Sequence, residues 1–118
     1  MELNCETVDL IYKLLDNKKA KDIEVLDVRG LTTLADYFIL ATGGSDRQVR
    51  ALADHVEEEL AKKGIYPTNK EGYRTGDWTL LGYDEAVVHI FQNETRGFYN
   101  LERIWKDAVI IEMPKSED

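Results

Sequence analysis

The sequence is poor in several features whose scarcity excludes whole classes of protein. Cysteine occurs once in 118 residues, at Cys5. This excludes a disulfide framework within the chain and makes a cysteine-based zinc site implausible. No apolar run is long enough to cross a membrane. The N-terminal residues 1–10 carry acids and no base, unlike a signal or transit peptide, so we expect a cytoplasmic protein.

Positive charge is also scarce. The chain has 15 Lys and Arg against 23 Asp and Glu, a net charge of −8. Proteins that bind a phosphate backbone usually show the opposite balance, so direct binding to nucleic acid or to an anionic membrane is disfavoured. The acidity either keeps the protein soluble or favours a basic protein partner, because opposite fields speed encounter.

What is present suffices for one small folded domain. Apolar residues make up 43% of the chain, which is enough for a hydrophobic core. The length leaves little room for a second domain. We predict a single domain over residues 1–112, followed by a polar tail at 113–118.

Hydrophobic periodicity predicts alternating helices and strands. Apolar residues at helical spacing predict a helix around 8–15 and another after Ser45, where Ser45 begins a capping-box pattern and Gly64 is a natural stop. A third helix follows Asn93, with Phe98, Leu101, Trp105 and Ala108 on one face. Strands are predicted at 23–28, 37–42, 78–83 and 86–91, with a short one near 71–74. Residues 109–111 fit either a helix end or an extended segment.

These elements predict the α/β or α+β class, with a mixed β-sheet of about five strands flanked by helices. The strand at 37–42 shows no alternation, which indicates burial on both faces and a central position. The short link through Asp84 and Glu85 joins the last two long strands as an antiparallel hairpin.

The turn Gly43-Gly44-Ser45 is the first candidate for chemistry. A glycine-rich turn between a buried strand and a helix can present backbone N–H groups to a phosphate. Nucleotidyltransferases combine such a turn with two or three metal-binding carboxylates. The acidic pair that should follow is missing, and the nearest look-alike, Asp27-Val28-Arg29, precedes the turn and ends in a cation. We therefore interpret Ser45 as a helix cap.

Two side chains near the end of the chain are candidates for binding. His89 shares a strand face with Val87 and Phe91, and a partly buried, hydrogen-bonded histidine is the first interpretation, with a histidine of a binding face as the alternative. Trp78 begins a strand and fits either the core or an interface hot spot. No nucleophile, metal ligand set or poised acid accompanies them in the sequence, so no catalytic, cofactor or metal site is predicted.

Several motifs, in their order and spacing, resemble the ribosomal silencing factor family, also called RsfS or Iojap. They are residues 36–43 with Ser45, 47–49 and Ala51; Glu71-Gly72; Asp77-Trp78 with Leu80-Leu81; 87–91; and Arg96, Phe98-Tyr99, Leu101-Glu102 and Trp105. The resemblance spans about residues 5 to 108. The family usually has Asp-Tyr-Gly-Asp after the Trp strand, whereas this chain has Gly82-Tyr83-Asp84-Glu85.

The resemblance implies a fold and a function. The implied fold is nucleotidyltransferase-like without the catalytic carboxylates. Family members bind ribosomal protein L-fourteen on the large ribosomal subunit, block joining of the small subunit and repress translation when nutrients are scarce. A role in large-subunit maturation is also implied, and members often form homodimers. Organelle members of the family carry transit peptides. Because residues 1–10 do not resemble one, we expect a bacterial cytoplasmic protein.

The family signature and the predicted hairpin together suggest a partner-binding site. We expect an apolar centre of Trp78, Leu81, Tyr83 and His89, with Glu71, Asp77 and Asp84 as a charged rim. Two alternatives remain. One is a nucleotidyltransferase-like enzyme that binds nucleotides through Gly43-Gly44-Ser45, and the other is an interaction subunit of another assembly or of large-subunit maturation.

Overall fold

In the part of the chain that the structure describes, the fold is a mixed β-sheet with two helices packed on it. A computed structural model describes residues 6–31, 33, 35–92 and 109–111, the last as backbone only. Its elements are α1 (Glu6–Asn17), β1 (Lys21–Asp27), β2 (Tyr37–Gly43), α2 (Asp46–Ala61), β3 (Asn69–Glu71), β4 (Trp78–Gly82), β5 (Ala86–Gln92) and β6 (Val109–Ile111). The predicted fold class is confirmed.

The sheet has the strand order β3-β4-β5-β2-β1-β6. Strands β2 and β5 pair in parallel, and the other neighbours pair antiparallel. Every residue of β2 is buried, as the missing alternation predicts for a central strand. The described residues contribute six strands rather than about five, because residues 109–111 pair with β1 as a strand.

The two faces of the sheet carry separate clusters of apolar side chains. Helices α1 and α2 pack on one of them, which we call the helical face. Its strand residues include Val25, Ile39, Leu81, Val88 and Ile90. The opposite face, which we call the aromatic face, carries Leu26, Phe38, Leu40, Trp78, Val87, His89 and Phe91. Strand alternation assigns each side chain to its face.

Helix α2 ends where glycine was predicted to stop it. Gly64 has a φ of +77°, a left-handed conformation that costs little without a Cβ. The Gly64 N–H donates to the Ala61 carbonyl at 2.9 Å, and the Ile65 N–H donates to the Leu60 carbonyl at 2.9 Å. These two bonds form a Schellman motif, which turns the chain away from the helix axis.

The short strand predicted near residues 71–74 is displaced toward the N-terminus. Strand β3 ends at Glu71 because Gly72, with a φ of +74°, turns the chain. The Gly76 N–H then donates to the Gly72 carbonyl at 3.3 Å, which closes a compact loop before β4.

Several predictions fall outside the residues that the structure describes. They concern Cys5, the third helix with its cap at Asn93, and the polar tail at 113–118. Within the described part of the chain, no helix combines the length and apolar character that a membrane crossing needs.

Candidate partner-binding surface

Trp78 and His89 lie side by side on the aromatic face. The Trp78 Nε1–H donates to His89 Nδ1 at 3.1 Å, so the neutral imidazole carries its proton on Nε2. The His89 ring also packs edge-on against Phe38 at 5.0 Å between centroids, and Trp78 packs against Phe91 at 5.1 Å. These contacts fix the orientation of the indole.

His89 is held in its neutral form. It is 6% exposed, and burial lowers its pKa to about 4, since an imidazolium would lose its hydration. Its Nε2 is buried and has no hydrogen-bond partner among the described residues. The first interpretation of the sequence, a partly buried histidine with its hydrogen bonds satisfied, is thus right about burial and about one hydrogen bond, but the Nε2–H is left without an acceptor among the described residues.

Two of the expected rim acids lie near Trp78. Asp77 precedes it and is exposed, and the Asp77 carbonyl accepts from the Gln92 N–H at 2.9 Å. Glu71 is exposed in the edge strand β3, where it pairs with Leu80 of β4. The partly exposed Trp78 therefore has two exposed acids near it, Asp77 directly before it in the chain and Glu71 in the neighbouring strand.

The loop at 72–77, which leads into Trp78, is fastened to α2. Arg50 of α2 donates through Nη1 to the Arg74 carbonyl at 3.2 Å and through Nη2 to Asp46 Oδ2 at 3.1 Å. The Tyr73 hydroxyl donates to Asp54 Oδ2 at 2.9 Å. Sequence reasoning missed the contacts of Arg50 with the Arg74 carbonyl and of Tyr73 with Asp54, because no local pattern relates groups that lie about twenty positions apart.

The other residues expected in the site lie elsewhere. Leu81 points to the helical face and is fully buried there, and Tyr83 is 4% exposed in the same cluster. Asp84 is exposed in the turn after β4, at the opposite end of that strand from Trp78. The structure thus brings together Trp78, His89, Glu71 and Asp77, and separates Leu81, Tyr83 and Asp84 from them.

The glycine turn before α2 is used by the helix cap. The Gln48 N–H donates to Ser45 Oγ at 3.1 Å, and the Gly44 N–H donates to Gln48 Oε1 at 2.6 Å. This is a capping box whose return bond reaches one residue further back than usual. The cap interpretation of Ser45 is confirmed, and two of the N–H groups that a phosphate would need already have acceptors.

Asp27, the acid that comes nearest to the metal-binding carboxylates of nucleotidyltransferases, forms a salt bridge with Arg29. Arg29 donates through Nε to Asp27 Oδ1 at 3.0 Å and through Nη2 to Asp27 Oδ2 at 2.7 Å. The bidentate Arg29 contact holds the pKa of Asp27 below its usual range. No group of three or more potential metal ligands occurs among the described residues.

Comparisons with known proteins agree with this architecture. A family model described as "Ribosomal silencing factor during starvation" matches residues 2–118. The ribosomal silencing factor RsfS of Halalkalibacterium halodurans is 34% identical over 110 residues, covering 93% of this chain and 94% of that protein. The chain belongs to the ribosomal silencing factor family.

Further relatives support this membership. The silencing factor of Bacillus subtilis is 38% identical over 98 residues, covering 83% of each chain. A crystal structure of a Chromobacterium violaceum protein superposes with a TM-score of 0.83 at 36% identity, covering 97% of this chain and 91% of that one. The curated relatives are named as silencing factors of the ribosome, which are regulators rather than enzymes. The family resemblance found in the sequence is confirmed.

Proposed function

We propose that this protein binds ribosomal protein L-fourteen on the large ribosomal subunit and thereby blocks joining of the small subunit. In a bacterial cytoplasm this would repress translation when nutrients are scarce. The observation that carries the proposal is the family match over residues 2–118, together with relatives named as ribosomal silencing factors over most of the chain.

The edge of the sheet around Trp78 supports a docking role. Interface hot spots are often Trp residues surrounded by a polar rim. Trp78 is partly exposed, its orientation is fixed by His89, and Asp77 and Glu71 are exposed beside it. We take Trp78 as the anchor and the two acids as its rim, with His89 as the residue that positions the indole.

Leu81 and Tyr83 have a different part in this proposal. Both are buried on the helical face, so neither forms part of the exposed surface around Trp78. Their apolar contacts with α1 and α2 hold the β4–β5 hairpin in place, and the hairpin carries Trp78 at one end and Asp84 at the other. We therefore assign them an indirect role in binding.

The mechanism needs only affinity and coverage of a surface. An acidic protein with a net charge of −8 is attracted to a basic ribosomal protein, which raises the association rate and makes it sensitive to salt. Once bound, the protein occupies surface that the small subunit would contact. No nucleotide, metal or covalent step enters the mechanism.

Co-sedimentation with purified large subunits tests the proposal. The wild-type chain should pellet with them, and Trp78→Ala should weaken binding by about 2 kcal/mol, roughly 30-fold in Kd. Trp78→Phe is the matched control, because it retains an aromatic ring while it loses the N–H bond to His89 and part of the indole surface. Absence of wild-type binding at low ionic strength would contradict the function, and normal binding by a folded Trp78→Ala variant would remove Trp78 from the site.

A further inference from the structure

A cleft lies at the end of the sheet away from Trp78. It has a volume of about 420 Å³, is open to solvent, and lies between Thr7 of α1, residues 64–66 after α2, and the turn at 83–85. This volume lies in the range of roughly 300–1,000 Å³ that is typical of ligand pockets. The glycine stop of α2 and the β4–β5 turn bring these segments together.

The walls of the cleft combine an exposed aromatic ring with negative charge. Tyr66 is 67% exposed, an unusual state for a large aromatic side chain. Asp84 and Glu85, which also line the cleft, are exposed, and none of the described residues that line the cleft is a cation. The carboxyl end of α2 adds partial negative charge, while Glu6 offsets the positive end of α1.

The hydroxyl of Tyr83 is a second, independent reason to consider the cleft a binding site. It lines the cleft and is 4% exposed, and its buried hydroxyl has no hydrogen-bond partner among the described residues. A buried polar atom without a partner is costly, so native structures usually satisfy such atoms. Because the hydroxyl itself has almost no accessible surface, a donor group from a partner would remove this cost by displacing the side chains that cover it.

We propose that the cleft receives an arginine side chain from a basic protein partner. A guanidinium can stack on the Tyr66 ring and donate paired hydrogen bonds to the Asp84 carboxylate, a combination that favours arginine over other side chains. Lysine would gain the charge attraction without the planar, two-pronged contact.

This proposal deepens the proposed function and rests on it for the identity of the partner. The cleft and Trp78 lie at opposite ends of the five-residue strand β4, about 13 Å apart at a rise of about 3.3 Å per residue. A single partner that covers an interface of standard size, about 800 Å² on each side, can reach both. The cleft would then be a second contact that fixes the orientation of the partner.

A titration followed by NMR tests the cleft directly. The ¹⁵N-labelled chain is titrated with an acetylated Gly-Arg-Gly peptide and, separately, with the same peptide carrying citrulline, which is neutral and nearly isosteric. Saturable shifts at the amides of Gly64, Tyr66 and Glu85 are expected with the arginine peptide alone. Equal shifts with citrulline, or none with arginine, would overturn the proposal.

Two surface variants localise the effect. Tyr66→Ala and Asp84→Asn should each abolish the saturable shifts, whereas Asp77→Asn, an exposed acid at the other end of β4, should leave them unchanged. Loss of the shifts in all three variants would point to general charge attraction and would count against the cleft. Persistence of the shifts in Tyr66→Ala and Asp84→Asn would also count against the cleft as the site that binds arginine.

Binding to large subunits separates this inference from the proposed function. If the wild-type chain binds, Tyr66→Ala should raise the Kd about fivefold through loss of the stacked cation. An unchanged Kd would overturn the role of the cleft in partner binding while the proposed function stands. If the wild-type chain does not bind at all, the proposed function fails, and the peptide titration still decides whether the cleft takes arginine.

Discussion

At the scale of single residues, the hydrogen bond from the Trp78 indole to His89 joins strands β4 and β5 on the aromatic face. Burial of His89 follows from its place in an apolar strand, and the structure confirms that the strand is buried. The partner of the Trp78 N–H could not be predicted, because it depends on the register between two strands. The opposite orientation of Leu81 could have been found, since residues three apart in a strand point to opposite faces.

His89 should make stability depend on pH. Its pKa is about 4 in the folded protein against 6.5 for the free side chain, so the unfolded chain binds the extra proton between these values. The contribution of neutral His89 to the free energy of unfolding is complete above pH 6.5. As the pH falls toward 4, the free energy of unfolding decreases by about 1.4 kcal/mol per pH unit. Urea unfolding at several pH values should show this slope in the wild type and a smaller one in His89→Phe.

The comparison of the two proteins removes the contribution of the carboxylates, which titrate in both. Direct NMR titration of the imidazole gives the same information. A His89 ring that titrates near 6.5 in the folded protein would contradict the account of burial.

At the scale of elements, the sequence was most informative where the signals are local. Both ends of α2 were predicted because the Ser45 cap and the Gly64 stop act within a few residues of the helix. The geometry of the loop at 72–77 could not be predicted, because it depends on the contact of Arg50 with the Arg74 carbonyl, 24 positions away. The same limit applies to β3, whose end is set by the backbone turn at Gly72.

The Ser45 cap can be measured by a single substitution. Ser45→Ala removes the acceptor of the Gln48 N–H and should lower the free energy of unfolding by about 1 kcal/mol. Glu58→Ala, at an exposed position in the same helix, is the control and should change stability little. Chemical denaturation of both variants measures the difference. An equal loss in both would argue against a specific cap.

Two glycines allow backbone strain to be separated from steric overlap. Gly76 and Gly64 both have positive φ, but a Cβ at Gly76 would lie 2.8 Å from the Asp46 carbonyl oxygen, whereas one at Gly64 meets nothing within 4 Å. Gly64→Ala should cost about 1 kcal/mol through strain alone, and Gly76→Ala clearly more. Equal losses in thermal or urea unfolding would show that the loop at 72–77 relaxes freely.

At the scale of the whole molecule, the class of fold and the antiparallel β4–β5 hairpin could be predicted, whereas the full strand order could not. Periodicity and length predicted a mixed sheet with helices, and the unalternating run at 37–42 identified the central strand. The parallel pairing of β2 with β5 joins segments about fifty positions apart, and no local signal encodes it. The residues proposed to bind a partner lie at opposite ends of β4, whose place in the sheet is set by its antiparallel pairing with β5.

Net charge should control the association of the whole protein with its partner. If the acidic chain meets a basic ribosomal protein, the association rate should fall as salt rises, because exposed charges are screened beyond about 8 Å at physiological ionic strength. Stopped-flow binding to large subunits measures this. The double variant Glu71→Gln, Asp77→Asn should associate more slowly and depend less on salt, and an unchanged salt dependence would exclude these acids from the docking surface.

The measurement that tests the central claim most directly is light scattering during the joining of purified small and large subunits. Preincubation of large subunits with the wild-type chain should lower the yield of joined ribosomes in proportion to the fraction of large subunits occupied, and Trp78→Ala should require a higher concentration for the same effect. Full joining at saturating occupancy of the large subunit would contradict the claim that this protein acts by covering the surface where the small subunit docks.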